Sequence, residues 1–242
     1  MDGDARREAN GRRPGEVRDW PPSSLLGGLG PADRDLLLAL GTRVRYPPDK
    51  VLMREADRTD FVLILLDGLV KVTGHADDDR DALLAVRMGG DVVGEFAAVD
   101  GQPRSATVTT CGPVLAQSVT RADFLACTRD EPRISHAVNR TVVAKLRSAT
   151  THRVNFTGCD AATRLARVLH HLVMTYGERA GEGAVIRWPI TQPELAGLAA
   201  ASEPSVQKAL RRFRDLGAVT TGYRSIRVDS LSRLSDIAFG DR

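Results

Sequence analysis

Long hydrophobic runs are missing from this chain: no apolar stretch approaches the roughly 18–20 residues that cross a bilayer. Met1 to Trp20 carries no apolar core of a secretory signal, so a cytoplasmic location is expected, with no membrane partner. Cysteine is scarce as well. Cys111, Cys127 and Cys159 stand far apart, without CxxC spacing or a Cys/His ligand pair. That argues for a reducing compartment and against a disulfide framework or a metal centre. His170 and His171 are adjacent, so on a helix they point to different faces. Internal repeats and low-complexity blocks are absent. No nucleophile–base set, metal triad or nucleotide-hydrolysis motif stands out, which disfavours an enzyme and requires no cofactor.

The overall excess of positive charge is small, +3, but it is unevenly placed. Between Ala200 and Val228, Lys208, Arg211, Arg212, Arg214, Arg224 and Arg227 face only Glu203 and Asp215. Such a concentration suggests a polyanion partner. At the other end, residues 1–22 mix Arg, Asp, Gly and Pro with balanced charge and no periodicity, and read as a mobile tail.

A short helix follows, about Ala32 to Leu40, with Leu36, Leu37 and Leu40 expected to face inward, Pro31 at its start and Gly41 just beyond it. From Thr42 to Val119 the pattern switches to short β-rich runs: 43–46, 51–53, 61–66, 69–73, 82–86, 105–110 and 114–119. Pro47-Pro48-Asp49, Asp67-Gly68 and Gly89-Gly90-Asp91 punctuate them. Seven or eight strands at short spacing imply a closed or rolled antiparallel β fold over about residues 23–130.

Helical periodicity then takes over. Ile134, Val138, Val142, Leu146 and Ala149 recur every three or four residues along a helix within 131–158. A helix this long is either a core helix or a two-chain seam, and its place between two domains favours the seam of a homodimer. Asp160 caps the next helix, Ala161 to Tyr176, whose Leu165, Val168, Leu169, Leu172 and Val173 share one side.

The final domain, 159–242, carries the sharpest local signals. Thr191 followed by Glu194 is a capping box, and Ser202 caps a second helix in which Pro204 sits at an early, harmless position. Val206, Leu210 and Phe213 form its inner face, while Ser205, Gln207, Lys208, Arg211 and Arg212 lie elsewhere on its surface. Two short helices joined by a tight turn, the second one basic, form a helix-turn-helix. The hairpin from Ala218 to Val228, with Arg224 at its tip, reads as a wing. The blander alternative is a helical hairpin with a solvated basic face; both caps, the spacing and the wing favour DNA.

A second constellation runs from Gly94 to Val108. Glu95 offers an acceptor suited to a sugar hydroxyl. Nine residues later Arg104 offers a planar fork that matches a phosphate. Gly94 and Gly101 allow close approach of the backbone, and the segment between them reads as a short loop.

Together these segments resemble the catabolite activator/Fnr superfamily, and Gly94-Glu95-Phe96 with Arg104-Ser105-Ala106 resembles the phosphate-binding cassette of cyclic-nucleotide-binding domains. The resemblance spans about residues 30–230 and implies an α+β architecture: an N-terminal antiparallel β-roll, a long dimerisation helix and a C-terminal winged helix-turn-helix. It implies that Glu95 binds a ribose 2′-hydroxyl and that Arg104 and Ser105 bind a cyclic phosphate. The family's adjacent purine-contacting hydroxyls fall on Ala149 and Thr150. The first lacks a hydroxyl, which Thr150 or Thr151 replaces only in part. Cyclic AMP is the first effector implied, with cyclic GMP or a cyclic dinucleotide behind it; the alternative is a ligand-independent regulator with a vestigial or partner-binding pocket. On the DNA side, Thr191, Gln192 and Ser205 match phosphate-contact positions. Ser202 and Glu203 begin the recognition helix, and Gln207 and Lys208 are candidate base readers. Glu203 departs from the family's usual arginine, so its familiar operator is not carried over. The implied partners are an inverted repeat in duplex DNA, a second copy of the chain and RNA polymerase.

Overall fold

The computed structural model describes residues 20–75, 81–155, 158–186, 190–222 and 225–240. Most of the expected tail lies outside these residues, but its end does not. Trp20 is anchored: its indole Nε1 donates to the Leu66 carbonyl at 3.2 Å, and the Arg34 guanidinium lies 5.7 Å from its ring centroid. Leu25 and Leu26, just after it, are fully buried.

Helix α1 (Pro31–Leu38) leads into eight strands: β1 (Thr42–Tyr46), β2 (Val51–Met53), β3 (Phe61–Asp67), β4 (Leu69–His75), β5 (Asp81–Met88), β6 (Val92–Val93), β7 (Thr107–Thr110) and β8 (Val114–Thr120). They form two four-stranded antiparallel sheets, ordered β1-β8-β3-β6 and β2-β7-β4-β5. Strand β3 shows why the roll closes. Its side chains alternate in direction, yet both sets are buried. Leu63 and Leu65 pack between the sheets with Met53, Val70, Val108 and Ala116. Val62, Ile64 and Leu66 pack outward under the helices, with Leu37, Phe124, Ile134 and Val138. A strand apolar on both faces belongs in the middle of a layered fold. Gly68 makes the tight turn from β3 to β4 at φ +88°, a region that L side chains avoid.

Two helices replace what the sequence reading treats as connection. Helix α2 (Glu95–Asp100) fills the segment read as a loop. Left-handed glycines bound it at both ends, Gly94 at φ +86° and Gly101 at φ +70°, so the glycines delimit a one-and-a-half-turn helix. Helix α3 (Arg121–Asp130) is capped by Thr120, whose side chain accepts from the Asp123 N–H. Helix α4 (Pro132–Asn155) is the long helix. In α1 only Leu37 is buried, whereas Leu36 is 48% exposed; eight residues present too narrow a face to bury both.

The C-terminal part contains α5 (Ala161–Tyr176), β9 (Glu178–Ala180), β10 (Gly183–Ile186), α6 (Gln192–Leu198), α7 (Glu203–Asp215), β11 (Val219–Gly222), β12 (Ser225–Val228) and α8 (Leu231–Phe239). Its sheet runs β11-β12-β10-β9. Leu165, Leu169, Leu195, Val206, Leu210, Phe213 and Leu234 share one core, and Leu83 and Val86 of β5 are buried in the same cluster. Strands β9 and β10 are not legible as elements, because three- and four-residue strands give almost no periodicity; helix α8, capped by Ser230, is an element the sequence reading does not assign.

Phe124 is fully buried beneath β3. Phe124→Ala is expected to lower stability by about 3–5 kcal/mol, read as a shifted midpoint in urea denaturation with an unchanged slope.

Candidate ligand and nucleic-acid sites

Glu95 is the first residue of α2, placed there by the left-handed turn at Gly94. Only glycine fits that turn: a Cβ on Gly94 would lie 2.6 Å from Arg104 Nη1 and 2.7 Å from Met53 Cε. Glu95 and Arg104 are 3% and 4% exposed. Arg104 donates from Nε to Thr59 Oγ1 at 2.8 Å, from Nη1 to the Gly94 carbonyl at 2.9 Å and from Nη2 to the Phe61 carbonyl at 2.6 Å. Its guanidinium also lies 5.0 Å from the Phe61 ring centroid. Burial pulls its pKa below the ordinary arginine value, opposed by Asp60, Glu95 and Asp57. Of its five N–H groups, these bonds leave two for a phosphate.

The Glu95 carboxylate goes to a residue the sequence reading missed. Lys145, on α4, donates to Glu95 Oε1 at 2.7 Å and to the Val92 carbonyl at 2.6 Å. Its ammonium lies 6.0 Å from the Phe96 ring centroid. Burial lowers the Lys145 pKa; Glu95 opposes that shift, and Arg87 adds to it. Nearby, burial raises the Asp91 pKa, while its hydrogen bond from the Met88 N–H and the Arg87 charge act the other way. The signal was available: Lys145 falls on the same helical face as Ile134, Val138 and Thr141, and a lysine on a buried face requires a partner.

Phe96 and Ser105 are exposed, and Ala106 is half-buried. Thr150 is exposed on α4, its hydroxyl donating to the Leu146 carbonyl at 3.0 Å, and the side chain of Thr151 lies outside the described residues. A cleft of about 350 Å³ adjoins the cassette, lined by Lys50, Val51, Leu52, Met53, Arg54, Asp57 and Thr59. Its size is at the low end for a small-molecule site. Another cleft, about 390 Å³, lies between α1 and the start of α4, away from Glu95 and Arg104.

The apolar stripe of α4 divides. Ile134 and Val138 are 0% and 4% exposed, buried against the chain's own roll rather than offered to a second copy. Val142 is half-buried, and Ala149 is exposed. Val143 and Leu146 are 48% and 65% exposed. A single periodic stripe thus serves the core in its first half and is uncovered in its second.

In the C-terminal part, the Thr191 hydroxyl accepts from the Glu194 N–H and the Glu194 carboxylate accepts from the Thr191 N–H at 2.8 Å, completing the capping box. Ser202 caps α7, accepting from Ser205 N–H. Helix α7 buries Val206, Ala209, Leu210 and Phe213. At about 100° per residue, Lys208 and Arg211 then stand opposite that face, flanked by Gln207 and Arg212. All four are exposed, as are Thr191, Gln192, Ser202 and Glu203, with Ser205 half-buried. Arg224 lies outside the described residues. Two further arginines shape this surface. Arg164 donates to the carbonyls of Cys159, Ala199 and Ala200 at 2.7, 2.8 and 2.9 Å. It thereby holds the turn between α6 and α7, where Ala200 has φ +45°. Arg214 donates to Thr221 Oγ1 at 2.7 Å, fixing β11 to the recognition helix.

Among the described residues, no group of three or more His, Cys, Asp and Glu could hold a metal ion. Nor is any helix long and apolar enough to cross a membrane.

Two family models match the chain, a cyclic nucleotide-binding domain over residues 43–131 and a Crp-like helix-turn-helix domain over residues 163–237. The chain belongs to the Crp/Fnr family. It is a DNA-binding transcription regulator with a cyclic-nucleotide-binding domain, and not an enzyme. It is similar to a CRP-like cAMP-activated global transcriptional regulator of Mycobacterium tuberculosis, 29% identical over 79% of this chain and 86% of that protein. It is also similar to the cyclic AMP receptor protein of Thermus thermophilus, 28% identical over 90% and 98%. Among solved Crp/Fnr structures, the c-di-GMP responsive regulator CLP of Xanthomonas campestris shares the fold. Its TM-score is 0.71 at 20% identity, covering 81% of this chain and 98% of that one.

Arg104→Ala removes the Nη2 donor to the Phe61 carbonyl and one of two donors to the Gly94 carbonyl, which keeps the Ala98 N–H at 3.2 Å. It is expected to cost about 1–3 kcal/mol of stability and to lower the midpoint of thermal unfolding before any ligand is added. An unshifted midpoint would mean that Arg104 is not held as described.

Proposed function

We propose that this regulator is a cytoplasmic homodimer whose DNA affinity is set by a small ligand in the cassette, with cyclic AMP as the first candidate. What carries the reading is that Glu95 and Arg104 lie within one cassette, joined through Lys145 to the long helix α4. A ligand that takes up Glu95 must therefore act on that helix. Two relatives named for cyclic AMP, the Mycobacterium and Thermus proteins, support this choice. Their identities are too low to transfer a base preference, and Ala149 removes one of the hydroxyls expected to read the base. The partition into a roll (23–130), a dimerisation helix (131–158) and a DNA-binding part (159–242) belongs to the same proposal.

A second reading has its own observation. The Glu95 carboxylate already pairs with Lys145, and Arg104 already makes three internal hydrogen bonds. Exchanging an ammonium for a neutral ribose hydroxyl at Glu95 gives up a charge-assisted bond, so a regulator that works without a nucleotide is the competitor. Calorimetry and thermal unfolding with cyclic AMP, cyclic GMP and a cyclic dinucleotide separate the two. Ligand at 100 times its Kd is expected to stabilise the protein by about 2.7 kcal/mol. Three flat titrations favour the nucleotide-independent regulator.

Helix α4 presents Val143 and Leu146 to solvent, and we assign the dimer contact to them. Val143→Glu with Leu146→Glu is expected to yield monomers in sedimentation; an unchanged dimer points to a different interface. For DNA, Lys208 and Gln207 are assigned base contacts, and Thr191, Gln192 and Ser205 phosphate contacts. The half-sites of an inverted repeat should lie about 10–10.5 base pairs apart, or a multiple of that. Lys208→Ala is expected to relax preference at one position per half-site, at about 1–3 kcal/mol. Binding titrations on a randomised half-site library measure this, and a uniform loss over all sequences would refute the assignment.

A further inference from the structure

The helix-turn-helix does not hang free of the roll. Lys71, on β4, donates to Glu194 Oε1 on α6 at 2.6 Å across 123 positions of sequence. The side chains are 31% and 15% exposed. Burial by itself would lower the Lys71 pKa, but Glu194 outweighs it and the value is raised. Burial by itself would raise the Glu194 pKa, but Lys71 and Thr191 outweigh it and the value is lowered. Both groups therefore stay charged around neutral pH.

The ion pair sits at the rim of an apolar contact. Strand β5 lies against α6. Leu83 and Val86 of β5, 4% and 3% exposed, are buried in the core cluster of the C-terminal part with Leu195 and Leu198 of α6. Leu69 and Cys111 of the roll pack on the same cluster. Burial raises the Cys111 pKa to about 11.

Glu194 is also the capping residue of α6, accepting from the Thr191 N–H at 2.8 Å. Lys71 thus holds the roll against the N-terminal end of α6, the end at which Thr191 and Gln192 are assigned to phosphate. Helix α7 remains open to solvent.

We propose that Lys71, Glu194 and the Leu83/Val86 contact form an intramolecular latch that docks the first helix of the helix-turn-helix on the β-roll and competes with the DNA backbone for that end of α6. Lys71 and Glu194 are positioning residues here: they set where the recognition helix sits and read no base. The proposal rests on the DNA reading above for its effect, though not for its existence. A partly exposed pair is a modest contributor, and its removal can shift a docked–undocked equilibrium only by its own differential stabilisation, a factor of about five.

The test uses the full-length protein with Lys71→Met, Glu194→Gln, the double variant and Lys71→Arg. Glutamine preserves the cap at Glu194, so that variant removes the charge and spares the helix. The first readout needs no DNA: the rate at which iodoacetamide alkylates Cys111, followed by mass spectrometry with Cys127 as internal control. Both single variants are expected to speed Cys111 alkylation about fivefold, the double variant no further, and Lys71→Arg to match the wild type. The second readout is affinity for the duplex that the wild type selects from a randomised library. It should rise about fivefold in the same three variants with the selected sequence unchanged.

Unchanged Cys111 rates in both single variants, or rates that multiply in the double variant, overturn the latch. Faster alkylation with equal or lower DNA affinity overturns the competition with DNA while leaving the docking in place. A wild type that selects no duplex sinks the DNA reading and the competition with it, and Cys111 still decides whether the docking exists.

Discussion

A buried ammonium requires a buried acceptor, and that requirement organises the N-terminal half of this protein. Lys145 reaches from the long helix into the roll and finds the Glu95 carboxylate and the Val92 carbonyl. Breaking such a pair from one side leaves an uncompensated charge, which is far costlier than never having had the pair. The contact therefore fixes the rotation of α4 about its own axis. Ile134 and Val138 face the roll as a result, and Val143 and Leu146 are left outside. It also fixes the start of α2, because Glu95 is at once the partner of Lys145 and the first residue after the left-handed turn at Gly94. Arg104 closes the other side of that turn through the Gly94 carbonyl. The cassette is thus a small set of mutually dependent contacts, in which the Glu95 carboxylate is already paired and Arg104 keeps two N–H groups beyond its three internal bonds.

How much of this was legible in the sequence depended on whether the signal was local. Caps are local, and Asp160, Thr191 with Glu194, and Ser202 all stand where the sequence reading puts them. Amphipathic stripes are nearly local, so α5 and α7 and their buried faces could be read residue by residue. The strands of the roll were found because β-rich runs alternate with turns; the two-residue β6 was too short to register. The contacts that escaped were set by distance, whereas α3 and α8 are unassigned despite local caps at Thr120 and Ser230. Nothing near Lys145 in sequence announces Glu95, fifty residues earlier, and nothing near Lys71 announces Glu194. The stripe on α4 reads as apolar from the sequence, which favours a two-chain seam over a core helix; the first half of the stripe serves the core. Periodicity reports that a face is buried, not what buries it.

The same contrast holds in the DNA-binding half. Its caps settle where helices begin, but the angle between α6 and α7 depends on Arg164, whose three carbonyl partners span the loop before α5 and the turn after α6. Arg214 does similar work for the wing. The basic residues of this half therefore differ in what they do. Lys208, Arg211 and Arg212 stand in solvent, Arg214 is exposed too but gives one donor to Thr221, and Arg164, outside the basic segment, gives three donors to backbone carbonyls. A charge total treats all of them alike, although Arg164 serves the protein's own frame.

Trp20 carries one more consequence. Its indole hydrogen-bonds to the Leu66 carbonyl, and a Cβ on Gly90 would lie 2.8 Å from its own Cβ, so it rests directly on the turn that leads to Asp91. That turn neighbours the Lys145 and Glu95 pair, since Asp91 and Glu95 both act on the Lys145 charge. The native chain thereby contains an optical reporter beside its cassette. Displacement of the turn would change the solvation of the indole, and the Trp20 share of the emission, once that of Trp188 is removed by substitution, would follow the turn without a dye.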